Sequence, residues 1–406
     1  MIWNLNKRGL AGCGLRLTIV LCLLTLGFGS ITPAPAGADD SKAAAAEKKE
    51  SKFKYKLTTK SGARILPVPI FITEPAIGYG FGMGVGYIHP EKEKPATDEE
   101  TPNSYSLDSL AGGTTRRKPL PTITAVGGGY TSKDTWAAAI GHQASWREDT
   151  IRFTGGLAYL DVKSDFYIVD DPIEFNLRGT GFYADIKHRL GNYNWFLGAK
   201  LGYFDSEADF DTRLTRSGDI DLQNIQPRNV GLALAATYDG RDNTFTPNDG
   251  QLLELDVWRF DEAVGGDYSY WKGKFKMLSF HQLGSKVVLG LRAEGGYLEG
   301  IAPFYAYPWV KLRGIPALRY QGSRAGMLEA EVRYNFLERW SALAFGGAAA
   351  VQRDGPTRKR FVTSDIYAGG AGARYFLMPD MGLWAGLDVA HGTEDWYSYI
   401  TVGHAW

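Results

Sequence analysis

From about residue 64 to residue 406 the chain alternates apolar and polar residues in runs of roughly ten, each closed by a turn, which is the period of a β-strand. Between 326 and 335, Leu328, Ala330, Val332 and Tyr334 share one side while Glu329, Glu331 and Arg333 share the other. Between 250 and 260, Leu253, Leu255 and Val257 stand opposite Glu254 and Asp256. Trp136 and Trp146 lie ten residues apart on one side of a single run, about 33 Å at roughly 3.3 Å per residue. A strand tilt of about 40° brings that to about 25 Å, the height of the apolar band between the aromatic girdles of a transmembrane β-barrel. Ala138, Ile140 and Ala144 fill the side between them, and His142 is its one polar residue. A soluble sandwich also alternates, with its apolar side inward and shorter strands.

No apolar run of about 18 residues follows the first 38, so the chain does not read as a helical membrane protein. The 50 glycines and 13% aromatic content are high against an average glycine content of roughly 7%. The 45 basic residues equal the 45 acidic ones, and three of the basic ones (Lys7, Arg8, Arg16) precede residue 30, so nothing points to nucleic acid. Residues 1–38 read as a signal peptide, with a charged start, an apolar core over 15–28 and a small-residue Ala36-Gly37-Ala38 end. Leu10-Ala11-Gly12-Cys13 precedes that core, which argues against lipidation. Both cysteines, Cys13 and Cys22, lie in this leader, which excludes thiol chemistry and disulfides from the expected mature chain. Residues 39–63 are rich in Ala, Lys and Glu, read as a short periplasmic segment, and are too few for a domain.

The spacing predicts strands over 64–73, 77–89, 121–131, 135–147, 150–161, 177–189, 194–206, 228–239, 250–260, 267–281, 286–298, 326–335, 341–352, 364–377, 382–391 and 396–406. About sixteen strands, an even number, suit an all-β antiparallel barrel over 64–406 in the outer membrane of a Gram-negative bacterium. With odd strands running outward, the links 162–176, 207–227 and 299–325 become extracellular and the charged link 90–120 periplasmic. Pro67 and Pro69 mark the first strand as an edge.

Two stretches exceed alternation. In the turn after residue 238, Asp239, Arg241 and Asp242 are followed by Pro247 and Gly250, residues that cap a turn, fix φ and admit positive φ. An ordinary structured turn and a functional one fit this equally. The 299–325 link carries Tyr305, Tyr307 and Trp309 among prolines, with Leu312-Arg313-Gly314; a link so aromatic packs inward, and a buried Arg313 then needs a carboxylate.

These two motifs in this order, five strands after the second, and a terminal aromatic at Trp406 resemble the BamA/TamA-type superfamily of outer-membrane barrels, the bacterial surface antigen family. The resemblance covers 64–406. It implies sixteen strands, an Arg-Gly loop folded into the lumen, and a seam between the first and last strands, here Pro67, Pro69 and Trp406, that parts laterally. Arg313 and Gly314 match the loop motif, Leu312 stands where valine is usual, and Glu331, with Glu329 beside it, matches the carboxylate that anchors the loop. The thirteenth strand reads Phe345-Gly346-Gly347 where the family often carries an aspartate, so Arg313 lacks one acidic partner. Residues 39–63 cannot hold a POTRA module, so the resemblance is to a POTRA-less branch.

Pairing about Gly265 predicts Glu254 opposite Lys274 and Asp256 opposite Lys272; pairing about Gly284 predicts Lys274 opposite Glu294. Such a lumenal charge network is either a cradle for Arg313 or a hydrated pore wall. The six histidines form no cluster, there is no Gly-x-Ser-x-Gly, and 205–211 is not a calcium loop, so no enzyme, metal site or cofactor is expected. The reading is an outer-membrane barrel, assembled by the host barrel-assembly machinery, that meets outer-membrane lipids and lipopolysaccharide and assists insertion or translocation of client outer-membrane proteins or lipids at its seam. The alternative is a passive porin-like channel or a structural outer-membrane protein.

Overall fold

The computed structural model describes residues 63–90, 121–168, 171–210, 225–242, 246–354, 360–378, 383–402 and 406. The expected leader 1–38, nearly all of 39–63 and the 91–120 part of the charged link lie outside them. The chain forms β1 (Arg64–Glu74), β2 (Gly78–Ile88), β3 (Ile123–Thr131), β4 (Trp136–Trp146), β5 (Ile151–Ile168) and β6 (Asp171–Arg189). It continues with β7 (Trp195–Phe210), β8 (Arg228–Asp239), β9 (Gly250–Phe260), β10 (Tyr270–Leu283) and β11 (Val287–Gly300). After a long connection come β12 (Arg324–Leu337), β13 (Trp340–Asp354), β14 (Arg360–Met378), β15 (Leu383–His391) and β16 (Trp396–Val402).

Each strand pairs with the next, in one sixteen-stranded antiparallel sheet that curls into a nearly closed barrel. Among the described residues there is no ladder between β1 and β16; the Ile400 N–H donates to Thr73 Oγ1 at 3.4 Å across the seam. The barrel is inside-out relative to a soluble sandwich: Leu328 is 67% exposed, whereas Glu329 and Glu331 beside it are each 4% exposed. Trp136, Ile140 and Trp146 are exposed together on one face of β4. His142 on that face is accommodated by Thr124 Oγ1 at 2.9 Å, which also meets His89 at 2.9 Å.

All sixteen predicted strands are present, and the differences are instructive. The link expected over 162–176 is strand: β5 and β6 pair as far as Ile168 and Asp171. Its polar residues serve a ladder, with Ser164 buried and donating to the Ala76 carbonyl, and Lys163 paired with Asp134 at 3.2 Å on the other face. The 207–227 link likewise begins as strand through Phe210, and Ala208 bridges Ile225. The predicted register of the charged strands is off by two. Lys274 faces Asp256 and Lys276 faces Glu254, while on the other side Lys276, not Lys274, faces Glu294. For β9 and β10 the cause is turn length: residues 261–269 fold a 3₁₀ turn capped by Asp261 and closed by Gly265 at φ +96°, which moves the pairing centre one residue along; for β10 and β11 the turn over 284–286 centres the pairing on 285. The charged residues keep the same face.

β2 alternates glycine with large apolar residues, Gly78 to Val85, so its outward side is bulky and its inward side bare. Gly82 has no room for more, since a Cβ there would lie 2.4 Å from the Gly128 carbonyl oxygen; at Gly84 the nearest atom would be Ile70 Cδ1, at 3.6 Å. Gly82→Ala should therefore destabilise the barrel by about 1–3 kcal/mol and lower the temperature at which it loses heat-resistant migration on a gel. Gly84→Ala should leave that temperature unchanged.

Candidate functional site

The inward face of β12 presents Glu329, Glu331 and Arg333 at alternate positions, all buried. A buried carboxylate needs a cation and hydrogen-bond donors, and the connection between β11 and β12 supplies them. Arg313 Nε donates to Glu329 Oε1 at 2.8 Å, its Nη2 lies 2.7 Å from Glu331 Oε2, and its Nη1 donates to Asp388 Oδ2 on β15 at 3.1 Å. The guanidinium carbon sits 3.5 Å from the centre of the Phe345 ring on β13 and 5.8 Å from that of Trp406, so the planar cation is covered on its faces as well as paired at its edge.

The pairs extend into a chain. Arg292 bridges Glu329 at 3.1 Å and Glu294 at 2.7 Å, Lys311 reaches Glu294 at 3.0 Å, and Arg374 Nη2 donates to Asp388 at 2.8 Å. The cations Lys311, Arg292, Arg313 and Arg374 thus balance Glu294, Glu329, Glu331 and Asp388 one for one. Gly314 follows Arg313 for a physical reason: its φ is +96°, and a Cβ would lie 3.1–3.2 Å from Gly392, Ala368 and His391. Its N–H donates to the Tyr399 hydroxyl on β16 at 2.9 Å. Leu312 is buried in a cluster with Val310, Ile315, Val351 and Ile366.

The same connection reaches far around the sheet. Phe304 packs edge-on against Phe175 of β6 and Phe210 of β7. The Tyr305 hydroxyl meets Ser206 at 3.2 Å and accepts from Asn229 on β8; burial pushes its pKa upward, which keeps it a neutral hydrogen-bonding group. Lys272 on β10 donates to the Ala306 carbonyl, and the Ala317 N–H donates to Glu74 on β1 at 2.9 Å. Arg319 pairs with Glu394 between β15 and β16 at 2.6 Å.

The turn between β8 and β9 comes to the other end of the β12 face. Arg241 Nε donates to Asp239 at 3.0 Å, and Arg152 reaches Asp239 at 3.2 Å. Asp242 accepts from the Asn248 N–H at 3.1 Å, closing the turn, and Gly250 has φ +99° with the Gly240 carbonyl 2.2 Å from where a Cβ would sit. Arg333 donates to the Pro247 carbonyl at 3.3 Å and to the Asn248 side chain. Asn243, Thr244 and Phe245 lie outside the described residues.

Three sequence expectations are corrected here. The cradle for Arg313 comes from β12 and β15; of the predicted charge ladder only Glu294 joins it, through Arg292 and Lys311. Asp256 pairs instead with Lys200 on β7 at 2.7 Å, Lys274 lies 5.7 Å from the Trp258 ring, and Lys272 meets a carbonyl. Trp406, expected at the seam, has its ring 5.9 Å from that of Phe280 on β10 and packs with Leu252 and Leu278.

Residues 125–308 match the Omp85 superfamily domain. That stretch, from β3 to the connection after β11, carries the Omp85 superfamily domain. Among solved structures it resembles BamA from Haemophilus ducreyi lacking POTRA domains 1–3, at 12% identity and a TM-score of 0.55 over 84% of this chain and 70% of that one. It also resembles CdiB from Escherichia coli (11% identity, TM-score 0.55, 84% of this chain and 62% of that one) and CdiB from Acinetobacter baumannii (10%, 0.52, 84% and 59%). The chain therefore spans less than two thirds of either CdiB. No curated protein matches. Omp85 barrels reside in the outer membrane of Gram-negative bacteria and are generally transport or assembly proteins, not enzymes; this barrel is placed in that membrane.

In this barrel the acidic partner missing from β13 is replaced from β15. Asp388 is fully buried, and room for it and Arg374 is made by Gly372 and Gly386, where a Cβ would collide with the pair. The sequence shows only that Asp388 falls at an inward position of the run Gly386-Leu387-Asp388-Val389-Ala390, which does not separate a structural acid from a hydrated one. Arg313→Ala should strand the buried carboxylates and cost about 3–5 kcal/mol, read as a lower heat-resistance temperature on a gel. Arg313→Lys, which keeps the charge without the planar fork, should fall between; wild-type heat resistance in the alanine variant would refute the anchoring role.

Proposed function

We propose that this barrel assists insertion or translocation of protein or lipid at its lateral seam, with residues 301–323 folded into the lumen as an internal brace. The observation that carries the proposal is that, among the described residues, β1 and β16 share no ladder in a sheet where every other neighbouring pair has one. The β1–β2 ladder runs unbroken through Pro67 and Pro69. A proline permits that only where its absent N–H would point away from the partner strand, so both prolines remove donors from the side of β1 that faces the seam.

The contacts of 301–323 with β1, β6, β7, β8, β10, β12, β15 and β16 support the lumenal reading, because only a segment crossing the interior reaches strands around the whole circumference. Glu254, Asp256, Lys272, Lys274 and Glu294 then line hydrated space beside it. In this reading residues 1–38 are an export leader, 39–63 a short periplasmic segment, and the partners are outer-membrane lipids, lipopolysaccharide and client barrels or lipids. The charged inward wall favours a second reading, a hydrated channel.

Depleting the protein and quantifying the outer-membrane proteome separates these. A selective fall in other barrels supports insertion of protein, and an unchanged profile moves the reading to lipid handling or a channel. Replacing Pro67 and Pro69 together with Val should restore two donors to the seam, each bond worth about 0.5–1.5 kcal/mol, raise heat resistance and reduce activity. Unchanged activity would argue against gating at the seam.

A further inference from the structure

The inward wall of the barrel carries charge from β5 round to β15, but on the β1 side of the seam, between Arg64 and Glu74 and along β2, β3 and β4, it carries none. The inward positions of β1 between its ends are Leu66, Val68, Ile70 and Ile72, each half-buried. Opposite them on β2 stand Gly86, Gly84, Gly82 and Gly80. Continuing inward-facing rows bring Ala125, Gly127 and Gly129 on β3, then Gly141, Ala139 and Ala137 on β4. In the rows from Leu66, Val68 and Ile70 no side chain larger than a methyl group stands across three strands, while the row from Ile72 and Gly80 ends at the buried Thr131. Ile70 and Ile72 lean over the bare wall, with their Cδ1 atoms 3.6 Å and 2.9 Å from where a Cβ would sit on Gly84 and Gly129. The result is a shallow apolar trough along β1, about 20 Å from Leu66 to Ile72 at roughly 3.3 Å per residue.

The ends of the trough differ. Arg64 occupies the same face at one end, is exposed, and has no carboxylate partner among the described residues. Glu74 closes the other end, bound to the Ala317 N–H, with Ala317, Leu318 and Ile72 packed in one cluster. The outward side of β1 is apolar too, with Ile65 and Phe71 exposed. A strand separating lipid from a watery interior needs one apolar face; two suit a strand with hydrocarbon on both sides.

We infer that this trough holds one acyl chain of a membrane phospholipid, with the lipid phosphate at Arg64. The inference rests on the lateral-seam reading, since the trough adjoins hydrocarbon across the unladdered seam. A lipid chain is favoured over a peptide because the wall of a paired sheet offers no free backbone donors or acceptors, and a strand laid on it would bury its own unsatisfied. Arg64 matches a phosphate by charge and by its forked donors.

The test uses the full-length protein in vesicles of phosphatidylethanolamine and phosphatidylglycerol, with a trace of phosphatidylglycerol bearing a diazirine near one acyl terminus. After irradiation, adducts are mapped by mass spectrometry. Phe81, Met83 and Val85, exposed on the outer face, report surrounding lipid. Adducts also at Leu66, Val68 and Ile70 are expected; adducts confined to the outer positions overturn the inference. Ile70→Glu should reduce inner adducts about tenfold and leave outer ones unchanged, and undiminished inner adducts would also overturn it. A Thr73→Cys, Ile400→Cys pair can close the seam with a disulfide, because the chain's own cysteines, Cys13 and Cys22, lie in the expected leader. Inner adducts lost on oxidation and regained on reduction support the site and the seam together. Inner adducts that persist with the seam locked support the acyl site and count against the seam reading alone.

Discussion

Within a bilayer no water is available to backbone N–H and C=O groups, so a spanning sheet must satisfy them strand against strand around a closed circle. Among the described residues every neighbouring pair obeys except β1 and β16, where an N–H to hydroxyl contact stands in for a ladder. The rest of the molecule can be understood from that exception. Prolines lie along the open edge, the wall of β2 to β4 next to it is nearly stripped of side chains, and the connection between β11 and β12 holds both edges from within, through Glu74 on β1 and Tyr399 on β16.

Those contacts converge on β12. Its three charged inward residues receive the β11–β12 connection at Glu329 and Glu331 and the β8–β9 turn at Arg333. A lone buried charge would be ruinous, and a buried pair is at best neutral against apolar packing; here acids and bases alternate from Lys311 to Arg374 with none left over. The cluster therefore contributes little as a net term but dictates where each segment must sit, because any displacement leaves a charge uncovered. Phe345 and Gly314 make the same point sterically, one covering the guanidinium face and the other allowing its backbone to approach β16.

Sixteen strands were legible because a two-residue period with one apolar side survives any rotation of the barrel. What the period does not encode is where a turn ends, so the Glu262–Val264 turn shifted the charged register by two, and the polar tips of β5 and β6 read as a loop. Arg313, Gly314, Glu329 and Glu331 were legible as motif residues. Asp388 was not, since nothing local distinguishes a structural acid on β15 from one facing water, and its role exists only once β15 lies across from Arg313. The position of Trp406 was hidden for the same reason: a terminal aromatic fits a girdle or an interior equally well until its neighbours are known.

The Arg313 cluster joins residues far apart in the chain. Asp388 is 75 residues beyond Arg313, and Tyr399, which receives the Gly314 N–H, is 85 beyond Gly314. Contacts of such separation form late, after closer pairings have paid for loop closure. The full set of bonds to the connection between β11 and β12 therefore exists only once the last strands are in place. Its anchorage acts as a completion check, distinguishing a full-length barrel from one truncated or stalled at β14.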